Sequence, residues 1–119
     1  MTSQRDFGDK GEQLAKAHLE KSGYEIMDLN WTFGKAEIDI IAYFNSQIIF
    51  VEVKTRNSNQ FGNPEDFVII PKQSQMAYAA EEYIHVMGHQ GEVRFDVISI
   101  LFNKKGEHTL NHIEDAFWP

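Results

Sequence analysis

The stretch EIDIIAYFNSQIIFVEVKTR, residues 37–56, decides how this chain is read. It holds two runs rich in Ile, Val and Phe, separated by Asn45-Ser46, a tight-turn composition. The pattern predicts an antiparallel hairpin. Charges interrupt it: Asp39 lies in the first run, Glu52 and Lys54 in the second. A charge inside an apolar strand is costly unless something pairs with it.

With the turn centred on Asn45-Ser46, Phe44 faces Gln47. Counting back, Asp39 faces Glu52 and Glu37 faces Lys54. Side chains alternate along a strand, so Asp39, Glu52 and Lys54 share a face and Val53 points away. Directly opposed Cβ atoms stand about 4.5–5.5 Å apart. The expectation is two carboxylates and an amine on one patch, beneath the first helix. Opposed like charges destabilise a sheet, and two remedies exist: one carboxyl keeps its proton, or a divalent cation sits between the two. Mg²⁺ prefers oxygen ligands and commonly takes one or two carboxylates with several waters. A neighbouring lysine then orients or helps deprotonate a water and stabilises developing charge. The bland alternative is a solvated polar face in which Glu37 and Lys54 pair across the strands. It gives no reason to set Asp39 against Glu52.

Outward from the hairpin, residues from about Ser3 to Ser22 read as a helix, with Gly23 just past its end. Phe7, Leu14, Ala15, His18 and Leu19 form its apolar stripe, and Gly8 and Gly11 beside it permit close approach to a strand. Glu12 lies at the margin of that stripe. Spacing alone favours an exposed Glu12 paired with Lys16. YEIMDLNW is a strand, and RNSNQFGNPED a polar loop. PKQSQMAYAAEEYIHVMG is a second helix with Met76, Ala80, Tyr83, Ile84 and Met87 buried. VRFDVISILF is a strand, NKKG a turn, and HTLNHIEDAF an edge strand. The order is helix, strand, strand, strand, helix, strand, strand. A strand–helix–strand passage implies a right-handed crossover and a parallel pair. The expected class is α/β, a mixed sheet flanked by helices.

The 119 residues suit one domain, 1–119. No apolar run reaches membrane-spanning length, and the N-terminus lacks the features of a signal peptide. With no cysteine there is neither a disulfide framework nor a thiolate metal site. A cytoplasmic protein with no membrane partner is the expectation. The charge is awkward for a nucleic-acid binder: 11 Lys and Arg against 18 Asp and Glu, net −7. A concentration of cations on one side, or a homodimer, would offset it. His85 and His89, at i and i+4, have the spacing of a helical metal pair but lack the accompanying carboxylate. Arg94 and Asp96 share a strand face and most simply pair with each other.

The ordered blocks GDKGEQLAKAHLEKSGYEI, Asn30, GKAEIDIIA, FVEVKTR, Phe61-Gly62, the helix from Lys72 and RFDV resemble the YraN-like family of small bacterial proteins. That family sits within the restriction-endonuclease-like superfamily, which includes archaeal Holliday junction resolvases. Asp39 with Glu52-Val53-Lys54 is similar to the superfamily's PD-(D/E)xK signature. The resemblance implies a restriction-endonuclease-like core and a Mg²⁺-dependent endonuclease, with Mn²⁺ as substitute. Its catalytic residues would be Asp39, Glu52 and Lys54. Its metal ligands would be Asp39, Glu52, the Val53 carbonyl and Glu12. Arg56, Lys72, Lys35 and Gln75 are the candidate nucleic-acid contacts. DNA, branched or damaged, is the expected substrate and RNA the other candidate. The competing reading is a noncatalytic nucleic-acid or protein-interaction module on the same scaffold.

Overall fold

The computed structural model describes residues 4–57 and 70–119, the side chains of residues 4–7 excepted. Ser3, read as the start of the first helix, and most of the loop read at 56–66 fall outside the described residues. Helix α1 (Gln4–Lys21) leads into β1 (Glu25–Phe33), β2 (Ala36–Phe44) and β3 (Gln47–Asn57). Helix α2 (Ile70–Met87), β4 (Val93–Phe102) and β5 (His108–Ile113) follow. The element order is the one expected from sequence.

The strands form one sheet in the order β1-β2-β3-β4-β5. Every neighbouring pair is antiparallel except β3 and β4, which run parallel. A parallel pair needs a crossover, and the segment between β3 and β4 contains α2. Both faces of the sheet are covered, so Ile48, Ile49, Phe50 and Val51 are all buried. Ile38, Ile41, Ile48, Phe50, Phe95 and Val97 pack against Met76, Ala79, Ala80 and Tyr83 of α2. Ile40, Ala42, Ile49, Val51, Ile98 and Ile100 pack with Ala15 and Leu19 of α1. Met87, expected in the α2 stripe, is half exposed because the helix ends there.

Both helices stop on a glycine in the left-handed region, Gly23 at φ 93° and Gly88 at φ 63°. The following amides reach back five residues, Tyr24 to the Leu19 carbonyl and His89 to that of Ile84. Gly11 lies against β3: a Cβ there would collide with Thr55 Oγ1. This is the close approach expected of it, and it seats α1 directly on the strand carrying Glu52. Gly8 has no such neighbour within 4 Å.

The hairpin turn is the two-residue type expected, with both Asn45 and Ser46 at positive φ. Phe44 pairs with Gln47, and the register continues to Ile40 opposite Val51. There the pairing stops, one step short of Asp39 and Glu52. Ile38 and Ile40 lie on opposite faces, in the α2-side and α1-side clusters respectively. Strict alternation would have put them together, so the strand resets its alternation at Asp39. β1 does the same. Asp28 reaches Tyr83 of α2, and Trp31 packs on that side too. Between them Asn30 adopts φ 51°. Register runs unbroken from Leu29↔Ile40 to Trp31↔Ile38, so Asn30 and Asp39 stand opposite each other. At this point each strand carries one residue more than its alternation requires; β1 has a further bulge between Ile26 and Asp28.

Candidate active site

The reset moves Asp39 off the position that sequence counting gave it. Its carboxylate does not stand across a ladder pair from Glu52. It turns into the notch where β2 and β3 part, and Oδ2 accepts a hydrogen bond from the Val53 amide at 2.8 Å. Glu52 continues the alternation of Ile48 and Phe50, so it faces α2. Val53 packs with the α1-side cluster. Glu52 and Lys54 therefore lie on the face opposite the first helix, where sequence reasoning had expected them beneath it. The expected Glu37–Lys54 cross-strand pair is absent, since the ladder has ended.

Glu52 is only 4% exposed. Lys54 Nζ lies 3.2 Å from its Oε1, and Lys72 Nζ from the first turn of α2 lies 3.7 Å from its Oε2. The second contact is an ion pair too long for a hydrogen bond, so the buried Oε2 has no hydrogen-bond partner. Asp39 senses this surrounding. Burial, then the charge of Glu52, push its carboxyl up to about 8 against the Val53 hydrogen bond, with Glu12 adding to the push and Lys72 opposing it. Burial and the charge of Glu52 thus favour the protonated form of Asp39, one of the two remedies the sequence argument allowed.

Glu12 arrives from α1 on the other side of the notch. The hydrogen-bonding pattern is satisfied when the Asn30 amide nitrogen faces it. That nitrogen lies 3.3 Å from each Glu12 oxygen and 3.1 Å from Glu37 Oε1. Burial raises the Glu12 pKa, the Asn30 hydrogen bond opposes this, and Asp9, Glu37 and Glu52 add to the rise. Glu12 is therefore a partner of Asn30 and not of Lys16. Nothing in the sequence reading assigned Asn30 a role. Its signal was an Asn, the residue most tolerant of a left-handed backbone after Gly, in the middle of a strand.

The remaining candidates divide. Lys72 joins the cluster. Gln75, one turn along α2, is exposed, and Lys35 is exposed in the turn between β1 and β2. Arg56 is half-buried and its Nη1 donates to the Thr55 carbonyl at 3.0 Å.

A divalent ion would find here the Asp39 carboxyl, the bare Oε2 of Glu52 and the Val53 carbonyl. Among the described residues no three acidic or imidazole groups gather closely enough to hold an ion by themselves. The donor set therefore suits an ion that keeps several waters, as Mg²⁺ does. The unpartnered Oε2 is the observation by which the residues fit such an ion.

A second polar cluster lies beneath α1. Asp96 is fully buried. Arg94 Nε and Nη2 donate to its two oxygens, each at 2.8 Å, as sequence suggested. His112 Nε2 meets Oδ2 at 2.7 Å, the Asp115 amide donates to Oδ1 at 3.0 Å, and Arg94 Nη2 also reaches the Tyr24 hydroxyl. His18 Nε2 lies 3.1 Å from His112 Nδ1. Burial raises the Asp96 pKa, but hydrogen bonds from His112, Arg94 and the Asp115 amide outweigh it and hold the carboxyl below its ordinary value. This is a structural clasp joining α1, β4 and β5. The histidines of interest are thus His18 and His112. His89 falls beyond the end of α2 and bonds the Glu92 carbonyl instead.

Fold and site together define an α/β protein with an acid–lysine cluster at a notch in a mixed sheet. The chain belongs to the uncharacterised protein family UPF0102, the YraN-like family, which it matches over residues 11–100. It is 43% identical over 118 residues to a UPF0102 protein of Flavobacterium psychrophilum, covering 99% of this chain and 98% of that one. A UPF0102 protein of Phocaeicola vulgatus is 40% identical over 119 residues, covering 100% and 98%. One from Clostridium perfringens is 42% identical over 115 residues, covering 95% and 94%.

Proposed function

We propose that the protein is a Mg²⁺-dependent endonuclease that hydrolyses phosphodiester bonds of DNA, with branched or damaged DNA as the preferred form. The observation that carries this reading is the buried Glu52 Oε2, without a hydrogen-bond partner among the described residues, beside an Asp39 carboxyl pushed up to about 8. Displaced carboxyl pKa values are common at reactive sites. A bound Mg²⁺, or Mn²⁺ in its place, would supply Lewis-acid activation of the phosphate and of a water. Asp39, Glu52 and the Val53 carbonyl would hold the ion. Lys54, 3.2 Å from Glu52, orients the attacking water and neutralises charge that builds on the phosphoryl oxygens. Asn30 holds Glu12 beside the notch, where its carboxylate would order water.

One observation favours the noncatalytic module instead: Lys54 and Lys72 already flank Glu52 and balance its charge. A cleavage screen over duplex, single-stranded, flapped and four-way-junction DNA and RNA, with Mg²⁺ and Mn²⁺, separates the two. Metal-dependent cleavage lost in Asp39→Asn supports the nuclease. Binding without cleavage on every substrate supports the module.

A further inference from the structure

Lys72 holds its place in the site loosely. Its ammonium stands 3.7 Å from Glu52 Oε2 and 3.4 Å from the Glu37 carbonyl. The first distance lacks a hydrogen bond and the second is near the limit for one. Lys54, by contrast, sits at 3.2 Å from the other oxygen of the same carboxylate. A buried carboxylate oxygen without a hydrogen bond is costly, and the flexible four-carbon stem of a lysine offers rotamers in which to seek a closer contact. The Lys72 side chain remains 27% exposed, so its ammonium also has access to solvent. It comes from α2, whereas Lys54 is tied to the strand that carries Glu52. The two lysines are therefore differently anchored around one acid.

We infer that Lys72 is the resident counter-ion of the site. It balances Glu52 while no divalent ion is bound, and it turns to a phosphate oxygen of the substrate once an ion occupies Glu52 Oε2. The inference rests on the metal-dependent reading above. Its physical basis is charge. A divalent ion beside Oε2 places two positive charges next to the ammonium, and the repulsion outweighs a contact that has no hydrogen bond to lose. A phosphate oxygen then offers the displaced ammonium a charge-assisted hydrogen bond. Lys72 so couples ion loading to substrate capture as a positioning residue.

The test uses the full chain as wild type, Lys72→Met and Lys72→Arg, with Lys72→Gln as a second neutral variant should Lys72→Met not fold. Melting is followed with and without MnCl₂, Mn²⁺ affinity is measured by calorimetry, and duplex binding is measured in Ca²⁺ over a range of salt. Without metal, the neutral variant melts below wild type, and Mn²⁺ closes that gap. Mn²⁺ binds the neutral variant about threefold tighter or better, since a competing cation is gone. Duplex affinity falls and the salt slope shrinks by about one, while Lys72→Arg keeps both near wild type. Suppose Mn²⁺ stabilises the wild type yet leaves the gap unchanged and binds the neutral variant no tighter. Lys72 is then a fixed structural partner, and this inference fails while the metal site stands. If Mn²⁺ has no effect on the wild type, both fail together.

Discussion

The Asp39 carboxylate and the Val53 amide meet at 2.8 Å across the point where β2 and β3 cease to pair. The contact replaces a ladder hydrogen bond with a side chain, and it holds an acid in a place that burial makes hostile to its charge. The folded protein keeps a proton on Asp39 that the unfolded chain loses above the ordinary carboxyl value of 3.8. A raised acid pKa thus withdraws stability progressively as pH rises from about 4 through about 8, and no further above that. Asp39→Asn retains an oxygen to accept from Val53 and removes the titration. At pH 8–9 it should be more stable than wild type by on the order of 1 kcal/mol, about 4 °C in melting temperature for a domain of this size. The difference should shrink towards pH 4. A gap independent of pH would contradict the assignment.

The same proton must leave when a cation binds, because carboxylate ligands act ionised. Mn²⁺ or Mg²⁺ should raise the melting temperature, with affinity increasing from pH 6 to pH 9. Calorimetry in buffers of different ionisation enthalpy should register up to one proton released per ion near neutral pH. Asp39→Asn combined with Glu52→Gln should abolish the thermal shift. No effect of either ion on the wild type would remove the main support for the proposed site.

Lys54 distinguishes chemistry from binding. Its ammonium is not a ligand, so Lys54→Ala should retain Mn²⁺ binding while cleavage falls by at least about 100-fold, the lower range for a positioned proton-transfer group. Substrate affinity should weaken only modestly, since one cationic contact among several is lost. Cleavage equal to wild type in Lys54→Ala would point to a contaminant or to a different mechanism.

The Asp96 clasp should behave as pure structure. Asp96→Asn leaves the largely buried Arg94 guanidinium only the exposed Glu114, 3.8 Å away, as counter-charge and should cost about 3 kcal/mol, read by urea unfolding. Mn²⁺ affinity of the folded fraction should not change. His18 adds a pH signature. Burial, then His112, hold its imidazole below the ordinary 6.5. The unfolded chain takes up a proton that the folded chain resists. The contribution is therefore intact above 6.5 and is lost as pH falls through 6.5 towards the folded value. The difference in stability between wild type and His18→Gln should decline between pH 7 and pH 5. A flat difference would mean His18 does not titrate in that window.

The fold was legible because each local signal agreed with the others. Asn45-Ser46 set the hairpin register, Pro71 and Gly88 bracketed α2, and a strand after α2 required the parallel pair. The site was legible in composition but not in placement. Counting from the turn located Asp39 and Glu52 near one another, and it failed at the last step because alternation was assumed to continue. Ile40 and Ile41 are adjacent apolar residues in β2, as expected of a strand buried on both sides, so they gave no warning of the reset. Lys72 was read as a generic phosphate contact because nothing local ties residue 72 to residue 52; the crossover does that. The Asp96 clasp escaped for the same reason. His18, Asp96 and His112 lie on three elements, and only the order of the sheet joins them.

Asn30 and Asp39 are opposed surplus residues, and that has a consequence for how the scaffold and its chemistry can be separated. With Asn30 removed, Leu29 and Trp31 still point to the faces they occupy now. With Asp39 removed, the same is true of Ile38 and Ile40. Deleting both would restore simple alternation to β1 and β2 at this point, with the bulge between Ile26 and Asp28 left in place. The double deletion should therefore remove the notch while keeping the faces on which the flanking apolar residues lie. Few site residues are dispensable to their host in this way. Most are substitutions within a pattern, whereas these two are insertions into it.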